Sequence, residues 1–423
     1  MRGKLIDFQQ QTEARLRQRA FIAFLKSLAE FKRINLAASR KWNYFYFDAI
    51  NKWEKESAEF LEELKREAAL TIENPYQRKA LQPGVDKTVF LGREQIRNQL
   101  ATTIRTSGEM PLFLIQGQRR VGKTSLLNFL QTLLGNRFVV VRMDLQSSED
   151  CQDVSSWMES LYRKFNEAIG FQAEEWQASD NWLKSWDELS RHLLSYSKGR
   201  DFKVVVAMDE YESLHEKGLS KDPAQGGHLL GAMRSFSQHQ NQVAFLFTGA
   251  ALFSELENPL WSNYFVHAIR LHVGYLNEAD THQLITAPVP DFGLEYRDGL
   301  PQTIRRLTEG HPALIQMICR ELVATANHGD RRHVDQADLD AVLKAHILIE
   351  DNGVFSVFWN QFCAAMTMKE TVRAILRGQM PTDKVSLQKL LRHEFVVEGN
   401  GGYRLRAPLF EQWVRRFDLG MMG

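Results

Sequence analysis

Cysteine is scarce in this sequence. Cys151, Cys319 and Cys363 are the three present, far apart and without a C-x-x-C pair, so neither a disulfide scaffold nor a structural zinc site is suggested, and a reducing cytoplasm is. Long apolar runs are missing too. None approaches the roughly 18 residues of a membrane span, and Met1-Arg2-Gly3-Lys4 leads on to polar glutamines rather than to the apolar centre of a signal peptide. A soluble cytoplasmic protein with no membrane partner is expected. No sign of charge dominates, with 53 Lys and Arg against 52 Asp and Glu, which excludes a global pull toward nucleic acid or anionic lipid. Between residues 4 and 74 there is neither glycine nor proline, the residues that interrupt helices. Residues 1–74 therefore read as an N-terminal module of two or three helices, with Phe21, Ile22, Phe24, Leu25, Leu28 and Phe31 at helical spacing.

What is present centres on Phe113 to Ser125, an apolar strand running into G-x-x-x-x-G-K-T. This is a P-loop. Gly117 and Gly122 permit backbone angles closed to other residues and let the chain approach a phosphate. The loop residues Gln118, Arg119, Arg120 and Val121 present main-chain N–H groups, and the following helix directs its positive end at the same point. Lys123 adds a point charge for the β- and γ-phosphates, and Thr124, with Ser125 beside it, is placed to hold Mg²⁺. Leu126, Leu127, Phe129, Leu130, Leu133 and Leu134 continue at helical spacing.

Strand and helix then alternate. Residues 137–144 and 203–208 read as buried strands, 153–198 as helical with Trp157, Trp176, Trp182 and Trp186 as packing anchors, 243–247 as a further strand and 267–271 as an edge strand. The order implies an α/β fold with a doubly wound parallel sheet and a ligand at the carboxyl ends of its strands. The run 203–208 ends in Asp209-Glu210, the Walker B pattern, with Asp209 expected to hold Mg²⁺ and Glu210 to orient and deprotonate the attacking water. Thr248, at the end of the 243–247 strand, is placed to sense the γ-phosphate or that water.

The remainder divides without strand signals from 276 to 350, followed by three helices and two short strands around Asn400-Gly401-Gly402, a hairpin. Helices followed by a hairpin make a winged helix. The expected units are the helical module (1–74), a linker (75–88) marked by Pro75, Pro83 and Gly84, a nucleotide core (89–275), a helical lid (276–350) and the winged helix (351–423). In the first module ten Lys/Arg face three Asp/Glu over residues 1–41, and four face eight over 48–73. The aromatic run Trp42, Tyr44, Phe45, Tyr46, Phe47 and Trp53 reads as core packing, with base stacking as the alternative.

Phe90-Leu91-Gly92-Arg93-Glu94, the P-loop, Met208-Asp209-Glu210, Phe247-Thr248-Gly249, Gly310-His311-Pro312 and the terminal hairpin unit, in this order over residues 75–418, resemble the archaeal-type ATPases of the STAND branch of AAA+ proteins, relatives of NACHT and NB-ARC switches. The resemblance implies ATP or ADP with Mg²⁺ as cofactors. It implies that Phe90, Leu91 and Gly92 wall the adenine, that Pro312 packs on the base and that His311 lies close to phosphate. It also implies a switch, ADP-closed and ATP-open, that self-associates in a signalling or defence role such as antiviral defence, with the N-terminal helices as adaptor for a protein partner. Ala250 and Ala251 stand where NB-ARC members often carry an arginine, so the candidates for the γ-phosphate are Arg270 as a substitute or Arg234 acting across a subunit interface, with surface salt bridges as the alternative for both. The alternative is a DNA-binding protein resembling the origin-recognition initiators, since residues 369–418 hold ten Lys/Arg against six Asp/Glu.

Overall fold

The computed structural model describes residues 71–420 except 77–78, 173, 201, 250–259, 364 and 400, together with 6, 8–9, 14–38 and 52–64. The aromatic run from Trp42 to Phe47 lies outside the described residues. Its last member, Trp53, is 49% exposed on the helix over 52–64, so it is not the core residue expected. In the helical module, α1 (Ala14–Ala38) packs against the 52–64 helix through Phe21 and Phe60, whose ring centroids are 5.0 Å apart. Lys32 Nζ donates to Glu54 Oε2 at 2.7 Å, so the basic and acidic halves read from the sequence meet each other at this point.

The centre is a five-stranded sheet of order β2-β3-β4-β1-β5, all neighbours parallel: β1 (Leu112–Gln116), β2 (Phe138–Asp144), β3 (Lys203–Asp209), β4 (Val243–Thr248) and β5 (Ile269–His272). The central strands are buried on both faces, which explains why β3 and β4 read as continuous apolar runs instead of alternating. Helices α2 (Glu94–Thr106) and α3 (Lys123–Leu134) supply the apolar residues of one side, including Leu100, Leu126 and Leu130. On the other side α4 (Val154–Ala168), α5 (Trp182–Ser197) and α6 (Pro223–Gln238) pack around Trp157 and Trp186, rings stacked 6.2 Å apart. The stretch 153–198 is thus two helices rather than one. Asn181 caps the second through a bond from Lys184 N–H, while Trp176 and Trp182 are only partly buried.

Residues 276–350, the stretch expected to form a lid, hold four α-helices, α7 (Glu278–Thr286), α8 (Leu300–Thr308), α9 (Pro312–His328) and α10 (Gln336–Val342). They also hold two strands that the sequence did not announce, Glu295–Tyr296 and His333–Val334, paired in parallel. Two residues each are too few for any periodicity. Beyond Gly353–Val357 the order is α11 (Met366–Leu376), α12 (Lys384–Arg392), the antiparallel hairpin β6 (Val396–Gly399) and β7 (Gly402–Leu405), and α13 (Pro408–Phe417). Gly399 pairs with Gly402, leaving a two-residue turn with Gly401 at φ +85. Arg373 in α11 and Asp418 after α13 close this unit with two bonds of 2.7 Å.

The 75–88 segment is no free linker. The buried Tyr76 hydroxyl lies 3.0 and 2.9 Å from the carbonyl oxygens of Leu284 and Ile285 in the lid, and the Leu81 N–H donates to Ser125 Oγ at 3.0 Å. Asn128 Nδ2 then donates to the Leu81 carbonyl at 2.8 Å. Residues of the 276–350 stretch, this segment and the sheet-bearing core are stitched together here.

Candidate nucleotide site

The strand β1 delivers the loop to the carboxyl edge of the sheet, between β4 and β5. Gly117 leaves it tightly: a Cβ there would stand 2.3 Å from the Val273 carbonyl oxygen. Only glycine fits this approach. We expect Gly117→Ala to cost at least about 2 kcal/mol of stability, because backbone rather than a flexible side chain must move; urea unfolding measures it. Arg120 and Gly122 then take positive φ values of +63 and +105. Gly122 caps α3 without any side-chain bond, leaving the first N–H groups of that helix directed at the loop.

Lys123 Nζ donates to the Gly117 and Gln118 carbonyls at 2.8 and 3.1 Å. Burial pulls its pKa down to about 8, opposed by the carboxylates of Glu210, Asp209 and Glu212. Asp209 ends β3 in register with Thr248 on β4 and Asp144 on β2. Burial raises the Asp209 pKa to about 6, while the Thr124 hydroxyl within hydrogen-bonding reach favours its charged form. Thr124 and Asp209 thus converge, as two oxygen ligands of a divalent cation must. Glu210 follows with φ +53, a left-handed turn costing about 1 kcal/mol, and its side chain reaches the cavity. The Thr248 hydroxyl is fully buried and has no hydrogen-bond partner among the described residues.

In front of the loop lies a cavity of about 740 Å³, within the range of small-molecule sites. Of the residues expected to bind nucleotide, Arg119 through Ser125, Phe90, Leu91 and Pro312 line it. Phe90 stacks on Phe129, centroids 4.1 Å apart and planes 5° from parallel, which fixes that wall. Gly92, Gly117, Gln118 and His311 stand behind the lining. Gly92, at φ +71, packs against Asp280 and Leu276, and Gln118 accepts a bond from the Tyr275 hydroxyl. Ser125 lines the cavity while its hydroxyl is held by Leu81. Asp209 and Thr248 lie at the sheet edge next to Glu210, and neither Arg234 nor Arg270 is among the lining residues.

His311 is completely buried between Tyr275 and Phe358, ring centroids 4.9 and 5.6 Å away. Burial holds its pKa down to about 3 against an ordinary 6.5, with the Arg119 main chain opposing the shift. The folded protein therefore refuses a proton that the unfolded chain takes up below pH 6.5. The stability this residue contributes is present above that pH and declines as pH falls toward 3, by up to about 1.4 kcal/mol per pH unit. Urea midpoints of the wild type and of His311→Asn, compared at pH 7.5 and 5, should converge on acidification as the wild type loses stability faster.

Two contributors escape motif reading. Arg93 lines the cavity, is 6% exposed and donates to the Val121 carbonyl at 3.0 Å and the Gly274 carbonyl at 3.1 Å, bracing the loop from the cavity side; burial lowers its pKa to about 10. Its signal was its place in Gly92-Arg93-Glu94. The second is the far wall, formed by Gln316 and Met317 of α9 and by Asn352, Gly353 and Val354 at the entry to the carboxyl-terminal unit. Nothing local in their sequence marks them.

A parallel sheet of this order, with a G-x-x-x-x-G-K-T loop after β1, between β4 and β5, and an acidic pair at the carboxyl end of β3, has the α/β fold of the P-loop AAA+ ATPases. No protein-family model matches the chain, and no curated protein matches it in sequence. Solved structures do. A Walker-type ATPase of Pyrococcus abyssi is similar over 81% of this chain and 100% of its own, at 15% identity and a TM-score of 0.56. The ORC2 protein of Aeropyrum pernix, in ADPNP–ADP complexes, is similar over 78% of this chain and 94% of its own, at 13% identity and a TM-score of 0.50.

Proposed function

We propose that this protein binds and hydrolyses ATP and works as a STAND-type molecular switch, closed with ADP and open with ATP. The observation that carries the reading is the composition of the cavity wall. The P-loop, α9 of the lid and Asn352–Val354 before α11 all face one space, so a nucleotide there would brace three units at once and its loss or exchange would alter their packing.

Each residue has a role in this reading. Lys123 and the loop N–H groups hold the phosphates; Glu210 orients a water and accepts its proton. Thr124 and Asp209 would hold Mg²⁺, which supplies charge neutralisation at the phosphates. Thr248 has a free hydroxyl next to that edge for the γ-phosphate or the water. Phe90, Leu91 and Pro312 offer apolar contact to the base. Self-association and the recruitment of a protein partner by the N-terminal helices, in a signalling or defence setting, complete the proposal.

The test is the mass in solution of Glu210→Gln protein with ADP and with ATP–Mg²⁺. Growth only with ATP supports the switch, and an unchanged mass at confirmed ATP occupancy removes it.

A second reading, DNA binding, is favoured by α12, which leaves Lys384, Val385, Gln388 and Arg392 exposed, and by the fold shared with the ORC2 protein. Against it, both hairpin arginines are engaged inside the chain, Arg404 with Glu309 and Arg406 with Glu394. Retention on duplex DNA that weakens steeply with salt would decide for it.

A further inference from the structure

A chain of contacts joins the hairpin to the P-loop. Arg406, just past β7, sets its guanidinium 3.9 Å above the centroid of the Tyr275 ring. It is held there by Glu394, 2.5 Å away, whose same carboxylate oxygen is 3.2 Å from His272 Nε2 at the end of β5. The Tyr275 hydroxyl donates to the Gln118 side-chain carbonyl, and Gln118 is 2% exposed. The main-chain carbonyls of Gly117 and Gln118 in turn accept from Lys123 Nζ. An ammonium has three protons. Two of them are thus directed at loop carbonyls, one of which belongs to Gln118, the residue whose side chain Tyr275 holds.

We propose that Tyr275 and Arg406 are positioning residues that set the preference of the site between diphosphate and triphosphate. With the hairpin docked, Gln118 is pinned and the loop competes for Lys123. A diphosphate can be held by the N–H groups at the start of α3 and one ammonium proton, whereas a triphosphate asks the same ammonium to bridge the β- and γ-phosphates. Docking therefore favours ADP. Freeing Gln118 releases the loop carbonyls and favours ATP, and by linkage a bound triphosphate favours release of the hairpin. This rests on the nucleotide reading above.

The experiment is calorimetric titration of the full chain with ADP and with the non-hydrolysable triphosphate AMPPNP, each with Mg²⁺. Tyr275→Phe keeps the ring and removes only the bond to Gln118; Arg406→Gln removes the stacked charge. Each is expected to raise the ratio of the ADP to the AMPPNP dissociation constant about fivefold, the worth of one hydrogen bond. The double variant should go no further than either single one, because both act through Gln118. Arg404→Gln removes the 3.4 Å pair with Glu309 in the same interface and the bonds to the Leu405 and Arg406 carbonyls, leaves every side-chain contact of that chain in place, and should leave the ratio unchanged. A ratio within twofold of wild type in both Tyr275→Phe and Arg406→Gln overturns the proposal, as does an equal shift in Arg404→Gln. Wild-type protein that binds neither nucleotide overturns the nucleotide reading itself, a different result visible before any variant is made.

Discussion

Lys123→Ala should lower the affinity for both ADP and ATP by about 100-fold, the scale of losing a buried charge-assisted contact to phosphate. Isothermal titration measures it. The companion prediction separates function from architecture. Burial of the ammonium at 9% exposure pulls its pKa from 10.5 down to about 8, so the folded state disfavours the charge it carries. The sign follows: this cost is fully present below pH 8 and is relieved as pH rises through 8 toward 10.5, where the folded form sheds the proton first. Replacing the side chain by an uncharged one of similar length, Lys123→Met, should therefore raise the stability of the nucleotide-free protein, by about 1–3 kcal/mol. A residue kept for packing would do the opposite. A Lys123→Met protein that unfolds at lower urea would show that the bonds to the Gly117 and Gln118 carbonyls outweigh the burial.

Glu210→Gln should leave nucleotide affinity within about twofold and slow hydrolysis by about 1,000-fold, the usual worth of a general base. Single-turnover release of phosphate reads the chemical step directly. Gln keeps the size and hydrogen bonding of the side chain and cannot take the proton. The backbone adds a second signature, since Glu210 sits at φ +53 immediately after β3. Glycine adopts that angle freely, so Glu210→Gly should gain about 1 kcal/mol in stability while losing the same activity. Strain kept at one residue of a strand end is intelligible if the turn aims a carboxylate into the cavity. Unchanged hydrolysis in Glu210→Gln would move the base elsewhere, with Glu212, whose charge also acts on Lys123, as the next residue to test.

These two residues were legible because their chemistry is local. The spacing Gly117, Gly122, Lys123, Thr124 needs only a strand before it and a helix after it, and both signals lie within 25 residues as apolar runs of the right period. Asp209 and Glu210 were legible for the same reason, as the polar end of a run too apolar to be anything but a central strand. The sequence by itself thus determined the α/β core, the strand ends at which the loop and the acidic pair stand and the two-residue hairpin turn before Gly402. It did not determine the two-residue strands of the lid, the break between α4 and α5, or the path of residues 71–81. Periodicity needs several repeats to be read, and Ile72, Tyr76 and Leu81 are fixed by bonds to Asn327, to Leu284 and Ile285, and to Ser125, up to 255 positions away.

Tertiary structure alone decided what closes the cavity and what stands behind the loop. Arg93 braces Val121, Tyr275 holds Gln118, and Arg406 lies on Tyr275; only Arg93 stands in a recognisable run, and Tyr275 and Arg406 are ordinary residues in their own segments. Their meaning comes from burial, which removes water as a competing partner and makes each buried polar group depend on the one neighbour that can satisfy it. No pattern along the chain encodes that neighbour. Folding brings it there.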